Sequence, residues 1–246
     1  MLTFMNIRAF IIHLERSEQR RRQAEWIIAH CPISCEMIAA VDGLVMDTEA
    51  ARAYQPDLLK PHYPFELRKS EIAVFLSHRK CWQRIVSEGL DAGLILEDDV
   101  EFDPLALQAA LDLAKKAGPG AYVRLPKSQR ESAREISAMA GATQLFIAKG
   151  IGLGAMAQLV TIAAARKLLA ATESFDRPVD TFMQMRWHHG VRVFSVQPNS
   201  IREISGELGG STIHKKFAFF TKFKREIKRS NYRLKVAYLS RRSGQP

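Results

Sequence analysis

The stretch AGLILEDDVEF, residues 92–102, sets the reading of this chain. Ala92 to Leu96 form a short apolar run suited to a buried strand, and Glu97, Asp98 and Asp99 follow without transition. Pro104 then opens a helix at its first turn. Three adjacent carboxylates at the end of an apolar strand repel one another and resist ionising unless something positive compensates them. A divalent cation does this most simply. Mg²⁺ and Mn²⁺ commonly bind through one or two carboxylates plus substrate phosphates, as at a nucleotide-diphosphate site. If the strand persists, Glu97 and Asp99 share one side of it and Asp98 faces the other. In open α/β sheets the ligand crevice lies beyond the carboxyl ends of the strands, where the cluster falls. The competing reading is a solvated loop that caps the next helix, since five of the seven residues from Glu97 to Asp103 are acidic.

Outward from this stretch, strands and helices alternate. RAFIIHL (8–14) reads as a buried strand, with Ser17 as N-cap of a charged helix to about Ile28. ISCEMIAAV (33–41) ends in the turn signal Asp42-Gly43, and residues 44–69, with Pro56, Pro61 and Pro64, form a long irregular excursion of the kind that carries function or moves. Ser70 is placed as the N-cap of a helix whose apolar face includes Ile72, Phe75, Leu76, Trp82, Ile85 and Val86, with Gly89 as terminator. Strands are expected at 121–125, 144–148, 154–160 and 191–196, and helices near 161–171 and 179–189. The economical architecture is α/β, a mostly parallel sheet covered by helices.

With 246 residues, 47% of them hydrophobic, the chain suits one sizeable domain, residues 1–213, and a tail, 214–246. The net charge of +10 belongs to the tail: residues 214–246 hold eleven Lys/Arg against the single acid Glu226, and the body is balanced. Such segregation points to a polyanionic surface as the tail's partner. Apolar runs are too short or too glycine-rich for a membrane span, and the first residues lack a leader's pattern, so a cytoplasmic location is expected. Cys31, Cys35 and Cys81 are too few for a disulfide framework and are read as packing residues.

Several ordered motifs together resemble glycosyltransferase family 25, the lipopolysaccharide and lipooligosaccharide β-galactosyltransferase group that includes the collagen galactosyltransferases. They are IIHLERSEQRR, then SEIAVFLSHRKCWQRIVSEGL with its Phe75-x-Ser77-His78, then ILEDDV, and later VRL, a Gly/Ala-rich strand and RPVDTFM at 177–183. The likeness covers about residues 8–212 and is weakest over 125–150. It implies a GT-A type, Rossmann-like fold, a UDP-sugar donor with galactose as the expected hexose, a surface-glycan acceptor and inversion at the anomeric carbon.

Site roles combine this resemblance with chemistry. Asp98 and Asp99 are expected to hold Mn²⁺ or Mg²⁺, with Glu97 on the donor. Arg16 and Arg20 follow the first strand, where a guanidinium pairs with phosphate or stacks on a nucleobase. Arg21 and Arg22 read as a solvated helix face. Asp42 and Gly43 sit where an acid accepts hydrogen bonds from ribose or uracil, although Asp-Gly is also a common plain turn. His78 lies three residues after Phe75 and four before Trp82, close to the apolar face, so a core role competes with the donor contact that the family motif implies for Ser77 and His78. Asp180 is the expected base that takes the proton from the acceptor hydroxyl, and a helix-capping role competes with it. His188, His189 and His214 are read as structural or surface residues.

Residues 215–242 interleave lysines and arginines with Phe220, Phe223, Ile227 and Leu234 on one helical side, which suits a helix lying in an anionic membrane interface beside a lipid-linked acceptor. A solvated tail is the plain alternative, and nucleic acid is not an expected partner because no recognition motif accompanies the charge. The acid cluster alone also admits a nucleotidyltransferase, a sugar-nucleotide hydrolase or a catalytically silent nucleotide-sugar-binding module.

Overall fold

A computed structural model describes residues 6–126, 130–209 and 219–242, with residues 219–224 described by their backbone alone. The elements run β1 (Ile7–His13), α1 (Glu18–His30), β2 (Cys35–Ala39), α2 (Thr48–Ala51), α3 (Lys69–Ser87), β3 (Ala92–Glu97), β4 (Val100–Phe102), α4 (Pro104–Ala114) and β5 (Ala121–Arg124). There follow β6 (Ala133–Ala140), β7 (Thr143–Ala148), β8 (Ala157–Thr161), α5 (Ile162–Ala171), α6 (Val179–Met183), α7 (Arg186–His189), β9 (Arg192–Gln197), β10 (Ile201–Glu203) and α8 (Phe219–Arg242). An eight-stranded sheet in the order β2-β1-β3-β8-β5-β9-β7-β6 forms the centre. Only β8 and β7 run against the other six, so the sheet is mostly parallel in direction, as expected.

In β1, β3, β5 and β8 side-chain alternation gives two buried faces, as a sheet covered on both sides requires. Ala9, Ile11, Leu94 and Leu96 pack with Ala24 and Ile27 of α1 and Leu107 and Leu111 of α4. Phe10, Ile12 and Ile95 turn to the other side, against Phe75, Trp82 and Ile85 of α3 and Leu168 of α5. Phe75 stacks on Phe175 at 3.8 Å between centroids, and a ring of this kind fully buried stabilises the fold by about 1.5–3 kcal/mol. Gly93 permits this packing, since a Cβ there would lie 2.6 Å from Ile85.

Two helix starts differ from the sequence reading in instructive ways. α3 begins two residues early at Lys69, because Arg68 rather than Ser70 is the cap, with the Arg68 N–H donating to Glu71 Oε2 at 2.8 Å. Ser17 precedes α1 as expected but makes no side-chain cap bond. At α4, Asp103 accepts from Ala106 N–H at 2.8 Å and Pro104 fills the first turn.

α8 docks on the body by one face. Tyr232, Val236 and Ser240 are buried, the Tyr232 hydroxyl accepts from Arg177 Nη1 at 2.7 Å, and Ser240 Oγ accepts from Arg186 Nη2 at 2.9 Å. Ile227 (48% exposed), Leu234 (69%) and Tyr238 (57%) project from another face. His214 and the side chains of Phe220 and Phe223 lie outside the described residues. No helix among the described residues is long and apolar enough to cross a membrane.

Candidate functional site

A cavity of about 660 Å³ opens at the carboxyl ends of β1, β2 and β3. The predicted donor and metal residues meet there: Arg16 and Arg20 from the start of α1, Asp42 and Gly43 after β2, Ser77 and His78 from α3, and Glu97, Asp98 and Asp99 after β3. Asp180 is not part of its lining. Parallel register explains the convergence, since Ile12 of β1 stands beside Glu97 of β3 and both strands end on the same edge.

β3 ends at Glu97, and the chain turns at Asp98-Asp99 before β4. Strict strand alternation therefore stops short of the two aspartates, and Asp98 and Asp99 converge on the Arg20 guanidinium instead of facing apart. Arg20 Nη1 lies 2.9 Å from Asp98 Oδ1 and 3.0 Å from Asp99 Oδ2. The second oxygen of Asp98 meets His13 Nδ1 at 2.8 Å, with both residues buried. Burial works against the charge on Arg20, but Asp99, Asp98 and Glu97 more than offset this and its pKa is raised.

Asp99 is under the greatest strain of the three acids. Burial first, and then the Glu97 charge, push its carboxyl up to about 6, although Arg20 pulls the other way. Its Oδ1 is buried and accepts no hydrogen bond from the described residues. A buried oxygen of a crowded carboxylate, left without a donor, is what a site for an incoming cation provides. Among the described residues no three His, Cys, Asp or Glu side chains gather as a complete metal cage. The donor set therefore fits an ion that takes further oxygens from a bound diphosphate, and does not fit a closed structural metal.

The remaining wall is built by precise ties. Ser77 Oγ donates to Ala73 O at 2.7 Å and accepts from Val41 N–H at 2.8 Å, which fixes the loop after β2 to α3. Arg16 Nε donates to Asp42 Oδ2 at 2.6 Å across the mouth, and this bond, with one from Leu44 N–H, holds the Asp42 carboxyl below the usual range. Gly43 passes so close to α3 that a Cβ would stand 2.8 Å from the Lys69 carbonyl. His78 is fully buried; its Nδ1 lies 3.1 Å from Gln158 Nε2, and its Nε2 lies 3.5 Å from Glu97 Oε1, long for a hydrogen bond. Arg21 and Arg22 are exposed.

Asp180 stands apart, at the start of α6. Its Oδ1 accepts from the Thr181 N–H at 2.7 Å and hydroxyl at 3.2 Å, and its Oδ2 from Gly154 N–H at 2.9 Å, tying α6 to the loop before β8. His188 and His189 pack against Phe182, and burial pushes His189 down to about 4. Neither lines the cavity.

Sequence reasoning missed His13, Arg68 and Glu203. His13 is the last residue of β1, and register beside β3 would have placed it next to Asp98. Glu203 arrives through the pairing of β10 with β4, with Ile204 N–H donating to Asp99 O at 2.8 Å, and it adds to the pressure on Asp99. Arg68 caps α3 and lines the cavity.

Known proteins are similar to this chain in sequence. A family model described as "Glycosyltransferase family 25 (LPS biosynthesis protein)" matches residues 6–183. A "Glycosyltransferase 25 family member" of Drosophila melanogaster is 32% identical over 186 residues, 72% of this chain and 30% of its own length. The "Inactive glycosyltransferase 25 family member 3" of Mus musculus is 28% identical over 220 residues, covering 77% and 35%. "Procollagen galactosyltransferase 1" of Danio rerio is 34% identical over 98 residues, 38% of this chain and 16% of its own. The chain thus spans about a third or less of the length of these curated relatives. The matched segment carries β1, the Ser77-His78 helix and the Glu97-Asp98-Asp99 turn in one order, and the chain belongs to glycosyltransferase family 25.

Proposed function

We propose that the chain transfers a hexose, galactose foremost, from a UDP-sugar to a lipid-linked surface glycan such as lipopolysaccharide, with inversion and with Mn²⁺ or Mg²⁺ as cofactor. One observation carries this reading: the acidic turn, the two arginines and the Asp42 loop line a single cavity, and the buried Asp99 Oδ1 in its wall has no donor among the described residues. Asp99 and Asp98 would hold the cation, which when bound offsets charge on the departing diphosphate. Arg20 neutralises the pair in the meantime and Arg16 stands at the mouth for phosphate. Glu97 and Asp42 present acceptors for ribose or base hydrogens. Asp180 is the proposed base for the acceptor hydroxyl; its Oδ2 accepts one bond and keeps a second lone pair.

The Mus musculus relative described as inactive keeps a silent nucleotide-sugar-binding module as the second reading. Product analysis decides between them. With UDP-galactose and lipooligosaccharide, the wild type is expected to form β-galactosylated product, and Asp180→Asn to lose at least about a hundredfold in rate with UDP binding intact. Intact UDP binding without any transfer would leave the module, and acceptor-independent release of galactose would indicate a hydrolase.

The same proposal has the chain in the cytoplasm, held peripherally on the inner membrane face by α8. Ile227, Leu234 and Tyr238 recur at helical spacing on its outer side, flanked by Lys228, Arg233, Lys235 and Arg241, and each basic residue near an anionic surface adds about 1 kcal/mol. In flotation with vesicles containing phosphatidylglycerol, Ile227→Asp/Leu234→Asp is expected to lose about tenfold or more in bound fraction. Undiminished flotation would remove the membrane role of this face.

A further inference from the structure

A second cavity, of about 500 Å³, lies between the 54–66 excursion and α8. Its floor is aromatic: Tyr63 meets Tyr232 edge-on at 5.4 Å and Phe65 at 5.6 Å. Its walls are held rather than loose. Arg177, fully buried, pairs with Asp176 at 2.6 Å, donates to the Tyr232 hydroxyl, and donates to the carbonyls of Leu59 at 3.0 Å and Pro61 at 3.2 Å. Arg225 and Arg229 cover the Phe65 ring at 4.4 and 5.7 Å, which clamps the excursion to α8.

The polar groups left over in this cavity define its chemistry. Asp176 is neutralised by Arg177, whereas Lys228 and Lys235 make no ion pair or hydrogen bond with the described residues. Lys228, Asn231 and Lys235 stand at i, i+3 and i+7 and so share one flank of α8, with the Tyr232 ring at its inner edge. The opposite wall carries two carboxylates, Glu66, without a partner among the described residues, and Asp57, whose Oδ1 stands 3.8 Å from His62 Nδ1. Aromatic rings with convergent ammonium, amide and carboxylate groups suit a sugar, whose C–H face lies on a ring while its hydroxyls and charge meet the polar groups. Positive charge is confined to the α8 flank, at Lys228 and Lys235, and the Glu66 and Asp57 carboxylates to the excursion, so an anionic group on a bound sugar would be met from the α8 side.

Position supports this use. The excursion that walls this cavity runs directly into the donor site: Leu67 N–H donates to the Tyr54 hydroxyl at 3.1 Å, and the next residue, Arg68, lines the donor cavity. Burial, then the Glu71 and Asp180 carboxylates, push the Tyr63 hydroxyl up, which puts Asp180 within electrostatic reach of the aromatic floor. On a helix turning about 100° per residue, the Lys228-Asn231-Lys235 flank lies between the docked face and the exposed Ile227-Leu234-Tyr238 face. A glycan anchored in lipid would enter from that side.

We propose that the cavity between the 54–66 excursion and α8 is the acceptor subsite and takes a carboxylated or phosphorylated sugar through Lys228, Asn231 and Lys235. The proposal rests on the transferase reading for the word acceptor, but its test does not. Glucose, glucuronate and glucose 6-phosphate, which differ only at C6, are titrated into the isotope-labelled full chain, with amide shifts as the readout. Either anionic sugar is expected to perturb residues 62–66 and 228–235 and to bind at least about fivefold more tightly than glucose, and Lys228→Ala/Lys235→Ala is expected to remove that preference. Comparison of glucuronate with glucose 6-phosphate tells which anion is preferred. Perturbation absent from both segments, equal binding of all three sugars, or an undiminished preference in the double variant would overturn the proposal. UDP titration with Mn²⁺ on the same samples reports on the donor cavity separately, so failure of one reading leaves the other standing.

Discussion

Replacing Arg20 by methionine is expected to destabilise the protein by about 3 kcal/mol at pH 7.5, read as a shift in the urea midpoint at constant slope. Arg20 is the shared partner of Asp98 and Asp99, and methionine keeps the packed stem while removing the charge. The loss comes from stranding buried carboxylates that His13 alone does not compensate. It should shrink at pH 5, where Asp99, pushed up to about 6, takes up a proton. A change below about 0.5 kcal/mol would make Arg20 an ordinary solvated helix residue.

Asp99→Asn is expected to act in the opposite direction on stability and to abolish the proposed activity. In the unfolded chain an aspartate releases its proton near about pH 4. In the folded protein Asp99 keeps it to about 6. Between those values the native state holds a proton that the unfolded state has lost, so stability falls as pH rises through the window and stays lowered above it. The full difference corresponds to about 3 kcal/mol, and losing the Arg20 contact takes back part of it. A net gain of about 1–2 kcal/mol at pH 7.5 follows, a rise of several degrees in Tm that vanishes near pH 4. A site that weakens its own fold when unliganded is a familiar cost of function. Equal stability at both pH values would mean that Asp99 is not crowded in the way described.

How legible the site was depended on where its parts lie in the chain. The acidic turn stood out because an apolar run broke abruptly into charge, and the Asp42 turn and α3 carried local signals of their own. His13 and Glu203 carried none: one reaches the cluster through the parallel register of β1 with β3, the other through the β4–β10 pair, and neither pairing is written in a local period. β6 was missed because its side chains are largely exposed and its pairing with β7 is irregular, which erases strict alternation. In α8 the apolar positions Ile227 and Leu234 point outward, while the docked face is made of Arg225, Arg229, Tyr232, Val236 and Ser240. Composition does not mark such a face, because its arginines bind by lying on Phe65 and its serine by meeting a buried arginine. Asp180 was legible as an acid at a helix start, and in the structure it sits one residue inside α6, whose cap is Pro178, and accepts from the Thr181 and Gly154 N–H groups.

Calorimetric titration of UDP into the full chain, with Mn²⁺ and with chelator, on wild type and on Asp99→Ala, tests the donor cavity most directly. Binding is expected to require the cation and to weaken by about a hundredfold or more in the variant, the loss that follows when a charged ligand to the ion is removed. UDP that binds equally well in chelator, or that ignores the loss of Asp99, would contradict a cavity built to grip a diphosphate through a metal.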